Sequence, residues 1–174
     1  EAAEPHINRG KNITTLVNGI PGLEIIEDVP NLPRQPEILH GLRNLIQNAV
    51  DFADQDVWID ITWTEETIRI LVADDGKGYP PDFFGRIGDP FLRRQKTKKD
   101  PDRPEYEGMG LGLFIAKTLL ERTRAKLIFA NGNSTYATKP SLEFAKGAVV
   151  SVIWDRKNIT FDTQIGHENI RMQI

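Results

Sequence analysis

The chain has 174 residues, which is the usual size of one domain. It contains no cysteine, which excludes disulfide scaffolds and thiolate metal sites, and no apolar run approaches the ~18 residues that a membrane span needs. Its 22 basic and 25 acidic residues give a net charge of -3, which argues against a nucleic-acid binder held by a general positive field. Residues 1–4 contain neither a start Met nor a signal-peptide core, so we expect a soluble segment of a larger protein that makes no membrane contact itself.

The first part of the chain predicts two short strands and one long helix. A strand is predicted over 12–17 and another within 20–32, where prolines and glycine mark turns. Pro36 begins a helix whose apolar residues recur at helical spacing, including Leu42, Ile46, Ala49 and Ala53. Asn44 and Asn48 fall about 40° apart on the opposite side, so the helix has an apolar back and an amide-lined front.

The amide-lined front is suited to a metal–nucleotide complex. Mg²⁺ prefers oxygen ligands and often takes only one or two from the protein. A neutral amide oxygen from Asn48 can complete its shell without adding charge beside a nucleoside triphosphate. The alternative interpretation is a solvated helix face.

Two alternating, β-rich segments over 57–63 and 67–74 predict an antiparallel hairpin. It leads into Asp74, Gly76 and Gly78, where the glycines would let a flat ring approach the backbone closely. A carboxylate at this position accepts a hydrogen bond from the amino group of adenine, worth about 1.5–3 kcal/mol, whereas guanine presents an acceptor oxygen. The alternative is an ordinary Asp-Gly turn.

The segment 79–107 is irregular and contains a basic cluster, which we interpret either as a lid over phosphates or as a solvated loop: Arg93, Arg94, Lys96, Lys98 and Lys99. Gly108, Gly110 and Gly112 then open a helix predicted to end near Arg122. Free N–H groups at a helix N-terminus favour anions, although no Lys-Ser/Thr follows as in a Walker loop. Further strands are predicted over 126–131 and 148–154, and the last twenty residues show no clear periodicity.

Taken in this order, the four signals resemble the ATP-binding catalytic domain of sensor histidine kinases, within the wider group of gyrase, the Hsp90 chaperones and the MutL repair proteins. Residues 40–53 resemble the N box and residues 74–78 the first glycine box. Residues 89–93 resemble the phenylalanine box and residues 108–113 the second glycine box. The amino-acid sequences of the N box and of the segment after the second glycine box are most similar to those of the RegB/PrrB redox-sensor subgroup.

The resemblance implies an α/β two-layer sandwich, the Bergerat ATP-binding fold, in which a mixed sheet packs on three helices below a mobile ATP lid. It covers residues 12–154 as the ATP-binding catalytic domain. Residues 1–11 are then a linker from a dimerisation domain that this chain lacks, and residues 155–174 are a C-terminal tail.

The resemblance also implies ATP and Mg²⁺ as cofactors and a set of site residues. Asn48 would bind Mg²⁺, with Asn44 nearby as the second catalytic amide, and Asp74 would read adenine. The remaining nucleotide-binding residues would be Gly76, Gly78, Phe91, Arg93, Gly108, Gly110, Leu111 and Gly112.

The implied activity is transfer of the ATP γ-phosphoryl group to a histidine of the absent dimerisation domain, with a cognate response regulator as a further partner. Gyrase-like ATPases carry a Glu that activates water where Asn44 stands, so transfer is favoured over hydrolysis. His6, His40 and His167 lie in no acceptor motif, so we do not expect efficient self-phosphorylation of this segment. The implied location is a cytoplasmic domain of a parent protein anchored in the inner (plasma) membrane.

Three departures from the family pattern leave alternatives open. Asp51 stands where the family often has Lys, Ala148 stands where it often has Thr, and the connection over 132–146 is long. These features favour a nucleotide-binding module with little catalysis as one alternative. A serine protein kinase of the anti-sigma type is another, and an ATPase of the gyrase or chaperone kind is a third, which Asn44 disfavours.

Overall fold

A mixed β-sheet with its long helices on one face makes up the described part of the chain. The computed structural model describes residues 2–6, 10–21, 30–81, 84, 111–132 and 145–159. After a 3-10 turn at Glu4–His6, the strands and helices are β1 (Asn12–Val17), β2 (Ile20–Pro21), α1 (Pro36–Phe52), β3 (Asp56–Trp63), β4 (Thr67–Asp74), α2 (Leu111–Arg122), β5 (Lys126–Asn131), β6 (Ala148–Asp155) and α3 (Arg156–Ile159).

The six strands that the structure describes are ordered β2-β1-β3-β4-β6-β5. β1 and β3 are parallel, with Asn12 opposite Asp56 and Val17 opposite Ile61, and the other neighbouring pairs are antiparallel. A parallel pair needs a long crossover, which α1 supplies between β1 and β3. The end of β4 therefore lies beside the beginning of β6, since Ala73 is opposite Val149.

α1 is amphipathic, and this pattern fixes its orientation on the sheet. Pro36 stands at its first position, where the missing N–H costs nothing. Its buried residues are Ile38, Gly41, Leu45, Ile46, Ala49 and Val50. They pack with Leu120 of α2 and with the sheet residues Ile68 and Trp154, all three fully buried. The opposite side of α1 is left for polar residues.

Most of the elements predicted from the sequence are confirmed. β1, β4 and β5 have the predicted bounds, α1 ends one residue before the predicted Ala53, and α2 ends at Arg122 as predicted. β3 begins one residue earlier than predicted and β6 continues one residue further. The segment after Trp154, which shows no periodicity in the sequence, contains α3, whose Ile159 packs into the core.

The mixed sheet packed on helices confirms the predicted two-layer α/β class. The third helix of the described part, α3, has only four residues. Most of the predicted lid segment lies outside the described residues, as does most of the connection over 132–146. None of the helices in the described ranges combines the length and the apolar character needed to cross a bilayer.

Two helical glycines provide a matched test of the packing between α1 and α2. A Cβ on Gly41 would lie 2.5 Å from Cγ of the fully buried Leu120, whereas a Cβ on Gly112 would meet nothing within 4 Å. We expect Gly41→Ala to lower the free energy of unfolding by about 1–3 kcal/mol relative to Gly112→Ala, because it overpacks the interface. Urea titrations of both variants measure the difference, and equal stabilities would contradict this account of the interface.

Candidate functional site

Asp74 is the most deeply buried polar residue near the edge of the sheet where β4 ends. Its side chain is 2% exposed. Oδ1 accepts hydrogen bonds from the backbone N–H of Gly76 at 2.9 Å and of Ala148 at 3.1 Å. The backbone carbonyl of Asp74 accepts a further bond from Gly147 at 2.9 Å. No donor among the described residues reaches Oδ2, so this oxygen is the acceptor that remains for a ligand.

Burial raises the pKa of Asp74 from 3.8 to about 6. The two backbone N–H groups that bond to Oδ1 oppose this shift, and the nearby carboxylates of Asp75 and Asp54 add to it. The raised pKa is the electrostatic cost of keeping a carboxylate in an apolar setting. Such perturbed acids are concentrated at functional sites.

Glycines surround the Asp74 carboxylate because side chains would collide with neighbouring groups. A Cβ on Gly76 would collide with the backbone carbonyl oxygen of Phe52, and one on Gly147 would collide with Oδ1 of Asp74. Gly78 has φ +69°, in the left-handed region that favours glycine. The turn after β4 therefore lies directly against the C-terminal end of α1.

Asp75 holds the same turn from its other side. Its carboxylate accepts hydrogen bonds from the backbone N–H groups of Asp54 and Gln55, at 2.9–3.1 Å. Partial burial acts to raise the pKa of Asp75, but hydrogen bonds from backbone N–H groups outweigh it, so that the pKa lies below its ordinary value. Lys11 donates from Nζ to the carbonyls of Ala53 and Asp54, at 2.8 and 2.7 Å. The turn between α1 and β3 is thereby tied to the turn after β4.

Asn44 and Asn48 lie on the polar side of α1 and are partly exposed. Asn44 donates from Nδ2 to the carbonyl of His40 at 2.8 Å, and its amide oxygen accepts no hydrogen bond from the described residues. The Asn48 side chain has no hydrogen-bond partner among the described residues. Asn48 is one helical turn before Phe52, whose carbonyl contacts Gly76, so α1 connects the amides to the turn after β4.

Asp51 does not project a free carboxylate beside these amides. Gln47, one turn earlier on α1, donates from Nε2 to both carboxylate oxygens, at 2.7 and 2.8 Å. The sequence raises the concern that this acid would repel a triphosphate unless it turns away. Its hydrogen bonds with Gln47 hold the carboxylate against its own helix but leave its negative charge in place.

The donor set fits Mg²⁺ only together with a phosphate-bearing ligand. No group of three or more His, Asp or Glu within the described ranges could hold a metal ion without further ligands. The Asn48 amide supplies one neutral oxygen, which matches an ion that keeps waters and takes its other ligands from phosphates.

The remaining predicted site residues divide into two groups. Leu111 and Gly112 occupy the first turn of α2, where backbone N–H groups lack partners within the helix. Gly41 near the start of α1 contacts Leu120 near the end of α2, so we infer that the helices run antiparallel and that the first turn of α2 lies toward the Asn48 end of α1. Phe91, Arg93, Gly108 and Gly110 lie outside the described residues.

Three contributors to this site were missed by sequence reasoning. The sequence patterns assign no role to Asp75 or Gly147. Asn131 was assigned only as the end of a strand, although its side chain bonds to Tyr79. The doublet of Asp74 and Asp75 could have indicated a second structural acid, but no local signal points to the other two.

The raised pKa of Asp74 predicts a pH-dependent stability. Since the folded-state pKa exceeds the unfolded one, the stability that protonated Asp74 contributes is fully present below about pH 4 and is lost as the pH rises through about 6. Asp74→Asn removes the ionisable group, so the variant is expected to match the wild type near pH 4 and to exceed its stability by up to about 3 kcal/mol at pH 8.

Denaturant titrations at both pH values measure this difference. Asp155→Asn, which changes an exposed carboxylate on β6, serves as the control and is expected to alter stability little at either pH. A gap between Asp74→Asn and the wild type that does not change with pH would contradict the burial cost assigned to Asp74.

Comparisons with known proteins show what this chain is similar to. The family described as "Histidine kinase-, DNA gyrase B-, and HSP90-like ATPase" matches residues 34–158. Sensor histidine kinase RegB of Cereibacter sphaeroides is 50% identical, covering 99% of this chain and 37% of RegB. Adaptive-response sensory kinase SasA of Prochlorococcus marinus is 28% identical, covering 87% of this chain and 35% of SasA. The chain therefore spans little more than a third of the length of these relatives.

Solved structures show the same fold at low sequence identity. Full-length ShkA in complex with AMPPNP aligns with a TM-score of 0.61 at 22% identity, over 87% of this chain and 28% of ShkA. The mycobacterial sensor histidine kinase MprB aligns with a TM-score of 0.58 at 15% identity, over 88% of both chains. A nucleotide-free catalytic domain of histidine kinase ThkA gives 0.59 at 18% identity, over 88% of this chain and 86% of that one.

Proposed function

The chain belongs to the family of histidine kinase-, DNA gyrase B- and HSP90-like ATPases, and on that basis we propose that it is the ATP-binding catalytic domain of a sensor histidine kinase. Its reaction is transfer of the ATP γ-phosphoryl group to a histidine on a dimerisation domain outside this chain. The 50% identity to RegB supports the assignment to a sensor histidine kinase and, within these kinases, to the RegB-like subgroup.

The observation that carries the proposal is the half-satisfied carboxylate of Asp74. Backbone N–H groups of Gly76 and Ala148 fix Oδ1, while Oδ2 accepts no hydrogen bond from the described residues. A fixed, buried acceptor of this kind selects a ligand that presents an N–H donor, such as the amino group of adenine, and rejects one that presents an acceptor oxygen. The glycines beside it bring the backbone of the turn close to this carboxylate.

The amides of α1 favour transfer over hydrolysis. A side-chain amide cannot take a proton from water, so Asn44 cannot act as the general base that an ATPase would need at this position. Asn48 is the residue we assign to Mg²⁺, because its amide is partly exposed and has no partner among the described residues. When bound with ATP, the ion would neutralise phosphate charge and hold the phosphate oxygens in place.

The phosphates are assigned to the N-terminal end of α2 and to the segment before it. Leu111 and Gly112 present backbone N–H groups in the first turn of α2, where anions are favoured. We assign Phe91, Arg93, Gly108 and Gly110 to the same role from the family pattern alone. Phosphoryl transfer then depends on positioning and charge neutralisation, since the nucleophile is supplied by another domain.

The partners and the location of the parent protein follow from the same proposal. A kinase of this kind needs the dimerisation domain that carries its histidine, and its phosphoryl group passes to a response regulator. From the resemblance to the RegB-like subgroup, we propose that this domain works on the cytoplasmic side of a parent protein anchored in the inner membrane.

Asp74→Asn is expected to weaken ATP binding by about ten-fold to 150-fold, because an amide cannot replace the charged acceptor for the adenine amino group. Calorimetric titration of ATP into this chain and its variant, with Mg²⁺ present, measures the loss. GTP serves as the comparison ligand, and the preference of the wild type for ATP should narrow in the variant. Unchanged ATP affinity in a folded Asp74→Asn variant would contradict the assignment of the base pocket.

Asn48→Ala is expected to lower Mg²⁺-dependent transfer by a factor of about 100, the cost typical of removing one group that stabilises transferring charge. The assay joins this chain to its dimerisation domain and measures incorporation of phosphate from labelled ATP. Asn158→Ala, which removes an exposed amide on α3, is the matched control and should retain activity. Acid-labile product supports a phosphohistidine, whereas acid-stable product would indicate a serine kinase instead.

A further inference from the structure

Asn131, the last residue of β5, makes a reciprocal pair of hydrogen bonds with the backbone of Tyr79. The N–H of Tyr79 donates to Oδ1 of Asn131 at 2.7 Å, and Nδ2 of Asn131 donates to the carbonyl of Tyr79 at 2.9 Å. The two residues are 52 positions apart in the sequence. A side-chain amide thus satisfies both backbone groups of one residue, as a neighbouring strand would.

The side chain of Tyr79 is held by the same strand. It is 8% exposed, and its ring packs edge-to-face against Phe129, with ring centres 6.3 Å apart. Phe84 makes a similar contact at 6.0 Å. Because Phe129 and Asn131 are two residues apart on β5, they point to the same face of the sheet. β5 therefore contacts the ring of Tyr79 and hydrogen-bonds to its backbone.

The hydrogen bonds between Asn131 and Tyr79 also constrain the neighbouring Gly78. Gly78 adopts φ +69°, and a Cβ at this position would lie 2.6 Å from Oδ1 of Asn131. Glycine is the residue that loses the most conformational freedom on folding, so a turn with Gly76 and Gly78 needs fixed ends to keep one shape. Asp74 fixes the first end through the N–H of Gly76, and Asn131 fixes the second.

We propose that Asn131 is a positioning residue for adenine recognition, acting through Tyr79 to hold the glycine turn over 76–79 in its binding shape. This inference rests on the proposed function, because it deepens the assignment of the turn as the adenine pocket. Asn is suited to the role because its side-chain amide carries a donor group, Nδ2, and an acceptor, Oδ1, side by side. Asp offers only acceptors and would face the carbonyl of Tyr79, and Ala offers neither.

The test compares Asn131→Ala with a variant that loses as many hydrogen bonds elsewhere. Thr123→Ala is that control, because the Thr123 hydroxyl donates to the carbonyl of Leu120 and accepts from Nε1 of Trp154. We expect Asn131→Ala to raise the Kd for ATP about ten-fold, and to raise the Kd for adenosine by the same factor, since the base pocket is affected rather than the phosphates. Thr123→Ala is expected to lower the melting temperature while leaving both Kd values unchanged.

Hydrogen exchange reports whether the turn is loosened, whereas the Kd for adenosine is the readout that a purely structural role would not change. Each variant is measured at the same number of degrees below its own melting temperature. Exchange of the Tyr79 amide is expected to accelerate in Asn131→Ala and to stay slow in Thr123→Ala. Asn131→Asp keeps the acceptor for that amide but loses the donor, so it should retain part of the protection while still weakening adenosine binding. If Asn131→Ala does not fold, Asn131→Asp and Asn131→Ser carry the same comparison.

The outcomes separate this inference from the proposed function. If the wild type binds adenosine and ATP but folded Asn131 variants bind both equally well, the positioning role is wrong and the adenine pocket stands. If the wild type binds no adenosine phosphate, the proposed function fails and this inference fails with it.

Discussion

The site depends on one constraint, which is the burial of the Asp74 carboxylate at the end of β4. A carboxylate loses hydration there, and this loss raises its pKa to about 6. Backbone N–H groups of Gly76 and Ala148 recover part of the lost energy at Oδ1. This geometry is possible only because Gly76 and Gly147 lack side chains that would collide with their neighbours. The loss of hydration at Asp74 is thus the energetic cost of holding its carboxylate in one orientation.

α1 joins the two halves of the site because its two faces have different chemistry. The apolar back packs on the sheet and on α2, which sets the position of every residue along the helix. The polar front carries Asn44 and Asn48, and the carbonyl of Phe52 at its end lies against Gly76. Any shift of α1 would move the amides and the turn after β4 together. The bonds from Asp75 and Lys11 to the turn after α1 resist such a shift.

The chemistry of the front of α1 bears on what the domain does with ATP. The side-chain amide of Asn44, which stands on this front, cannot take a proton from water. This is the basis on which we propose that the nucleophile comes from another domain.

Most of the helices and strands could be predicted from local sequence patterns, and single motifs indicated a chemistry. Helical spacing predicted α1 with its amide front, alternation predicted β3 and β4, and the family pattern predicted that Asp74 would read adenine. The contacts that Gly147, Asn131 and Gln47 make were visible only in the folded chain. Ala148 and Asp74 are 74 residues apart, and Asn131 and Tyr79 are 52 apart, so their hydrogen bonds exist only after the sheet has formed. Local periodicity reports which face of an element is apolar, but the partner of a polar group across the fold is set by sheet register and helix packing.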